Sequence, residues 1–168
     1  MQRSLLILCS LWVWCGWFGC IYLARAGGEL YTPAIPVVGW ILASFALAPS
    51  RARAFKAFAL ASAGISADFL AHQFHLIQFV PDTGFAVLPV WIISLWLLFV
   101  VTLLLLARQL NGKYLFAAVL GAVFGPLTYQ SGEGFGVLLL AGRSAAIAYS
   151  VFWAIYLPSS ILWLNSER

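Results

Sequence analysis

Apolar residues fill six segments of the chain almost without interruption, and charged residues are confined mainly to the short gaps between them. A bilayer core about 30 Å thick is spanned by a helix of roughly 20 apolar residues. Because lipid offers the backbone no hydrogen-bond partners, we expect helices rather than strands throughout. The segments run from Leu5 to Ala24, Thr32 to Ala48, Ala57 to Phe79, Phe85 to Ala107, Tyr114 to Tyr129 and Ser144 to Leu164. The pattern predicts an all-α fold: one polytopic transmembrane helical bundle over residues 1–168.

Two stretches leave alternatives open. The first segment, with Ala24-Arg25-Ala26 at its end, imitates a cleavable signal peptide. Its apolar run is longer than the roughly 7 to 15 residues of a signal peptide, so we interpret it as a retained anchor. The glycine-rich stretch from Gly132 to Gly142 is compatible with a re-entrant segment. The number of spans is therefore five or six.

The composition supports a membrane protein and excludes a water-soluble fold. The chain is 64% hydrophobic and 8% charged, whereas soluble domains carry about 25% charged residues. The nine Lys and Arg form no basic stripe, so we expect no nucleic-acid partner. Cys9, Cys15 and Cys20 lack the spacing of a zinc site, and we interpret them as small hydrophobes facing the membrane.

The positive charges predict an orientation, because cytoplasmic loops carry an excess of Lys and Arg. With six spans, only Arg25 and Arg143 fall on one side. The other side would hold both termini and the remaining basic residues: Arg3, Arg51, Arg53, Lys56, Arg108, Lys113 and Arg168. We therefore expect a multi-pass protein of a bacterial inner membrane with both termini in the cytoplasm.

The fifth segment carries features of helix packing. Ala117, Gly121 and Gly125 recur every four residues and predict a face that another helix approaches closely. Pro126 removes a backbone donor, so we expect the helix to kink or end near Gly125. Tyr129 and other aromatic residues near segment ends are interpreted as interfacial anchors.

Asp68 is the strongest candidate for a functional residue. It lies eleven residues into the third segment, roughly 16 Å along a helix, which places it near the bilayer midplane. An ionisable residue there is costly and marks a candidate functional site, although an interhelical hydrogen bond would also explain it. His72 and His75 follow at helical spacing and predict a polar stripe with Asp68. Because further ligands are missing from the apolar segments, we predict neither a metal nor another cofactor.

With these residues in view, the chain resembles a bacterial inner-membrane family known as domain of unknown function twenty-eight-seventy-eight. The resemblance extends over nearly the whole chain, and its most specific block runs from Gly121 to Tyr129. The other matching positions are Gly16-Trp17-Phe18, Asp68, Pro89-Val90-Trp91, Leu95-Trp96, Phe99, Gly132 and Gly136.

The resemblance implies a small multi-span protein and carries no reaction. Genes of this family often neighbour those of cyclopropane-fatty-acid-synthase-like methyltransferases and flavin amine-oxidase-like proteins, which implies a link to membrane lipid modification or stress. We therefore favour an accessory or lipid-binding protein over an enzyme, and we assign no catalytic residue. The expected partners are membrane lipids and a lipid-modifying enzyme. The alternatives are a small proton-linked transporter or flippase with Asp68 at the midplane, and a membrane-embedded lipid-modifying enzyme.

Overall fold

The computed structural model describes residues 2–80 and 88–166, and it confirms the all-α prediction, since the chain is 80% helical. Two three-residue strands accompany the helices in this part of the chain. In chain order, the elements are α1 (Gln2–Arg25), a 3₁₀ turn (Glu29–Tyr31), α2 (Ala34–Leu47), α3 (Arg51–Gln73), β1 (Ile77–Phe79), α4 (Val90–Leu106), α5 (Tyr114–Gly134), β2 (Leu138–Leu140) and α6 (Gly142–Asn165).

The helices have the length and composition of membrane spans. Five long apolar stretches qualify, and α4 adds a 17-residue apolar helix at the lower limit for a crossing. Large apolar side chains also face outward, as on α1, where Ile7, Leu11, Trp14 and Phe18 form an exposed stripe at helical spacing. The protein is therefore a multi-pass integral membrane protein with five or six spans.

The chain divides into two compact units. Unit 1 comprises Met1–Ile65 and Pro89–Leu106, and unit 2 comprises Ser66–Leu88 and Ala107–Arg168. The prediction of a single domain stays a prediction.

Unit 1 is held together by apolar packing and by neutral hydrogen bonds. A core of Cys9, Ala43 and Val101 joins α1, α2 and α4. The Trp12 indole donates to the Ile35 carbonyl over 2.8 Å, and the Trp40 indole donates to the Leu97 carbonyl over 3.1 Å. Such bonds satisfy the polar edge of a ring that is otherwise packed as a hydrophobe.

Unit 2 is built on the pair α5 and α6 and on the small sheet. Strands β1 and β2 pair antiparallel, with Gln78 opposite Leu139. Ile77, Phe79 and Leu138 of this sheet are almost completely buried. Because the strands satisfy each other's backbone groups inside the protein, non-helical structure is tolerated in an otherwise lipid-facing fold.

Three boundaries differ from the sequence-based expectation. Helix α3 begins at Arg51 and ends at Gln73, so residues 77–79 form a strand rather than a continuation of the helix. The glycine-rich stretch supplies the end of α5, a turn at Gly136 with a φ of 73°, and strand β2. Helix α5 continues through Pro126 to Gly134, so the expected end near Gly125 is wrong, and the alternative of a kink there stays a prediction. The predicted start of the fourth segment at Phe85 lies outside the described residues.

Two interpretations of single side chains were also wrong. Cys9 and Cys20 are completely buried rather than facing the membrane, whereas Cys15 is exposed. Tyr129, interpreted as an interfacial anchor, is only 6% exposed. Apolar composition alone does not tell a buried face from a lipid-facing one, because both faces are hydrophobic.

Candidate functional site

The candidate site is a buried carboxylate held by two tyrosines within unit 2. Asp68 of α3 is 0% exposed. Its Oδ1 accepts hydrogen bonds from the Tyr129 hydroxyl at 2.7 Å and from the Tyr149 hydroxyl at 3.0 Å. We call these three residues the Asp68 cluster. It ties the end of α3 to both α5 and α6.

The two tyrosine rings reach the carboxylate side by side. Their centroids are 3.8 Å apart and their planes are inclined by 23°, which is a stacked arrangement. Tyr149 is as buried as Tyr129, at 4% exposed. Stacking limits the movement of both rings, so the hydroxyls are held in place to donate to the same oxygen.

Close packing of α5 on α6 brings the two tyrosines together. A Cβ added at Gly121 would overlap the backbone of Trp153, and one added at Gly125 would overlap the Trp153 side chain. Ala117, the third member of the predicted small-residue face, is completely buried. The structure therefore places all three residues in the interior, and Gly121 and Gly125 lie against α6. Small residues let helix backbones approach closely in this way.

The predicted polar stripe is only partly assembled. His72 is buried one turn beyond Asp68, where its Nδ1 lies 3.1 Å from the Ile77 carbonyl oxygen and its ring packs on Phe79. His75 lies beyond the end of α3, is exposed and has a φ of 56°. The helix ends before it can carry His75 to the same face as Asp68.

The position of Asp68 along the helix also differs from the expectation. With α3 ending at Gln73, Asp68 lies in the last turn and a half, about 7 to 8 Å from the helix end. The midplane estimate assumed a helix from Ala57 to Phe79, which the structure does not contain. Asp68 is thus a buried group near a helix end, where tyrosines of two other helices contact it.

The chemistry available to the cluster is that of hydrogen bonding and proton exchange. A carboxylate accepts strong hydrogen bonds from hydroxyl groups, and the same group can take up a proton. Within the described residues, no three His, Cys, Asp or Glu side chains come together as a metal site would require. Asp68, Tyr129 and Tyr149 are consequently the residues on which we base a function.

Sequence reasoning singled out Asp68 and missed the role of both tyrosines. Tyr129 and Tyr149 lie 61 and 81 residues from Asp68, on separate helices. A signal was present, because a buried carboxylate requires donors and the apolar segments offer few besides tyrosine, serine and threonine hydroxyls. Choosing among those donors required the helix packing.

The comparisons with known proteins identify a family. Residues 6–159 match the family described as "Protein of unknown function (DUF2878)". Neither the curated proteins nor the solved structures gave a match. The matched range includes the Asp68 cluster and both strands. The multi-span chain described above therefore belongs to the DUF2878 family, in agreement with the resemblance seen in its sequence.

Proposed function

We propose that the protein is a non-catalytic accessory protein of a bacterial inner membrane that binds lipid or a lipid-modifying enzyme. The observation that carries the non-catalytic part is the engagement of Asp68. Both tyrosine hydroxyls already donate to its Oδ1, and the side chain is completely buried. A substrate would have to displace a tyrosine to reach that oxygen, so the cluster fits the role of an internal fastening better than that of a reactive centre.

The lipid link is supported by the outer surface and by the family resemblance. Exposed apolar side chains on α5 and α6, among them Phe116, Val123, Ile147 and Val151, offer area for acyl chains. The resemblance implies neighbouring genes for methyltransferases of the cyclopropane-fatty-acid-synthase type. An accessory that presents or receives lipid for such an enzyme is consistent with the exposed apolar surface and with what the resemblance implies.

The test is a comparison of membrane lipids by mass spectrometry. We would compare cells that carry the gene, cells that lack it, and cells that lack it but express either the wild-type chain or Asp68→Asn at equal level. The proposal expects deletion to change the modified acyl chains and the wild-type chain to restore them. It also expects a lipid-modifying enzyme to co-purify after mild extraction. Unchanged lipids together with no bound lipid or enzyme would contradict it.

We also propose the orientation with both termini in the cytoplasm. It is supported by the basic residues at the start of α3, since Arg51, Arg53 and Lys56 precede the apolar part of that helix. Reporter fusions after α2 and after α3 test it directly. The first fusion should report a cytoplasmic location and the second a location across the membrane, and the reverse result would contradict the proposal.

A second candidate function is a small proton-linked transporter or flippase. The observation that favours it is the same carboxylate, because ionisable groups buried in membrane bundles commonly mark ion or proton pathways. In this role Asp68→Asn should abolish movement of a fluorescent lipid between leaflets of proteoliposomes, while the chain still folds. Equal movement in vesicles with wild-type chain, with Asp68→Asn and without protein would contradict a flippase.

A further inference from the structure

The ends of α3 and α5 carry the same local structure, 61 positions apart. Three backbone hydrogen bonds at matching positions follow the end of each helix. Two positions beyond each helix lies a residue in the left-handed region, His75 with a φ of 56° and Gly136 with a φ of 73°. Both are then followed by a three-residue strand. After α3, the N–H groups of Phe74, His75 and Leu76 donate to the carbonyls of Leu70, His72 and Ala71, respectively. After α5, the N–H groups of Phe135, Gly136 and Val137 donate to the carbonyls of Ser131, Glu133 and Gly132, respectively.

The two strands are related to each other by a local two-fold axis. The pairing centres on Gln78 opposite Leu139, which are themselves 61 positions apart in the sequence, like Asp68 and Tyr129. The two flanking hydrogen bonds are equivalent under the same shift of 61 positions. The Val80 N–H donates to the Val137 carbonyl over 2.9 Å, and the Ala141 N–H donates to the Leu76 carbonyl over 3.0 Å. An antiparallel pair of equivalent segments has this symmetry only when its register is centred on equivalent residues.

The helices on either side repeat a second feature, seen separately within each unit. In unit 1, a Cβ at Gly64 would overlap the Trp96 ring, and Trp96 meets Phe99 edge to face. In unit 2, Gly125 lies 61 positions after Gly64. A Cβ at Gly125 would overlap the Trp153 side chain, and the Trp153 ring meets Tyr156 edge to face. Trp153 and Tyr156 stand 57 positions after Trp96 and Phe99, so the correspondence continues into the helix after each strand with a shift that is four residues shorter.

We propose that α3–β1–α4 and α5–β2–α6 are two copies of one helix–strand–helix repeat, and that Asp68 is a proton-binding latch between their central segments. Asp68 and Tyr129 occupy equivalent positions in the two copies and contact each other. A contact between equivalent positions lies on the axis that relates them. Membrane proteins with internal repeats often place their ion sites where the repeats meet.

Proton uptake would change the strength of this contact. Hydrogen bonds to an ionised carboxylate are roughly twice as strong as bonds between neutral groups. A proton from water that binds a carboxyl oxygen of Asp68 neutralises the acceptor, so the bonds from Tyr129 and Tyr149 weaken without any covalent bond being broken. Two titratable groups of the described residues face Asp68, Tyr129 from α5 and Tyr149 from α6, and His72 lies one turn further along α3. The ligand of the latch is therefore the proton itself.

The latch goes beyond the accessory role and does not require the lipid link. It deepens the transporter candidate, because a proton-linked carrier needs a group that binds a proton and loosens a contact. The experiments can contradict the accessory role and the latch independently. Lipid changes on deletion without proton uptake by Asp68 would contradict the latch alone, and proton uptake without a lipid change would contradict the lipid link alone.

Proton binding is tested by infrared difference spectroscopy on the full chain in lipid nanodiscs. The sequence contains only two aspartates, Asp68 and Asp82. In protein labelled with ¹³C-aspartate, Asp82→Asn leaves Asp68 as the sole labelled side chain, and the double variant Asp68→Asn with Asp82→Asn, which has no labelled side chain, is its control. We expect a labelled carboxyl band that rises in Asp82→Asn as the pH is lowered and that is absent from the double variant. A labelled Asp68 band that does not respond to pH would overturn the proposal.

Loosening is tested by amide hydrogen exchange in residues 76–80 and 137–141. Because exchange itself accelerates with pH, variants are compared with wild type at each pH. We expect Asp68→Asn, a neutral side chain of the same shape, to exchange several-fold faster than wild type at alkaline pH and at an equal rate at acid pH, with both segments responding together. Tyr149→Phe, which leaves Asp68 and Tyr129 in place, should show a smaller increase. Exchange that is equal in all variants, or that changes in one segment alone, would contradict the latch.

Discussion

Units 1 and 2 share a glycine–tryptophan packing contact, but the polar side chains that each unit buries completely are different. In each unit a helix glycine receives a tryptophan ring, Gly64 with Trp96 and Gly125 with Trp153. In unit 1 the almost completely buried polar side chains Thr32 and Ser94 form a neutral contact between their hydroxyls at 3.1 Å. Unit 2 instead buries the carboxylate of Asp68. The comparison shows that the same glycine–tryptophan packing accompanies different buried polar contacts.

The difference has a physical reason in the supply of donors. A buried carboxylate is tolerated only when hydrogen bonds replace its lost hydration. In unit 2 two tyrosines provide these bonds from separate helices, and their stacking holds the hydroxyls together. In unit 1 the buried hydroxyls of Thr32 and Ser94 bond to each other and to the carbonyls of Glu29 and Val90.

Of the substitutions considered, Asp68→Ala is expected to lower the free energy of unfolding most. The substitution leaves two buried tyrosine hydroxyls without their acceptor, which at about 1–3 kcal/mol for each group lowers the free energy of unfolding by roughly 2–6 kcal/mol. Unfolding in mixed detergent micelles measures this loss. Asp68→Asn retains an acceptor oxygen and should lose less. A loss no greater than that of Asp68→Asn would show that the hydroxyls find other partners.

The next effect is expected from the two matched glycines. Gly64→Ala and Gly125→Ala each push a methyl group into a tryptophan ring, and overpacking of this kind costs about 1–3 kcal/mol. Gly134→Ala is the control, since a Cβ there meets nothing within 4 Å and its φ is not in the left-handed range. The same unfolding assay should show similar losses for the first two variants and none for the third. A loss in one unit only would break the correspondence between them.

A smaller effect is expected from Tyr149→Phe. Asp68 keeps the bond from Tyr129, and the aromatic stack is retained, so the free energy of unfolding should fall by about 1 kcal/mol. In a double-mutant cycle with Asp68→Asn, the two losses should not be additive, because both changes affect one contact. Additive losses would place the contribution of Tyr149 outside the cluster.

The smallest effect is expected in unit 1 from Ser94→Ala. Thr32 keeps its bond to the Glu29 carbonyl, so the loss should be about 0.5 kcal/mol, typical of neutral hydrogen bonds between membrane helices. Ser10→Ala is the matched control, because its hydroxyl is exposed and bonds only to its own helix at Leu6. A loss as large as that of Asp68→Ala would remove the contrast between the units.

Most of the helical framework could be predicted from the sequence, and the site only in part. The long apolar runs predicted all six helices, because a chain in lipid has few other ways to satisfy its backbone. Asp68 was found for the same reason, as a charged residue in apolar surroundings. No comparable sign marked β1 and β2, since Leu138 to Leu140 is as apolar as the helices beside it and Ile77 to Phe79 contains one polar residue, Gln78. Tyr129 was interpreted as an interfacial aromatic residue, and Tyr149 was not singled out.

By itself, the sequence determined that this chain lies in a membrane and which segments are apolar enough to cross it. It also determined that the carboxyl group of Asp68 needs hydrogen-bond partners. Those properties follow from the free energy of transfer of single side chains and are therefore local. Only the tertiary structure decided that Tyr129 and Tyr149 are the partners, that His75 lies outside the cluster, and that the ends of α3 and α5 meet as equivalent segments. These outcomes depend on where helices end and on which faces pack together, and an apolar face looks the same in sequence whether it meets lipid or another helix.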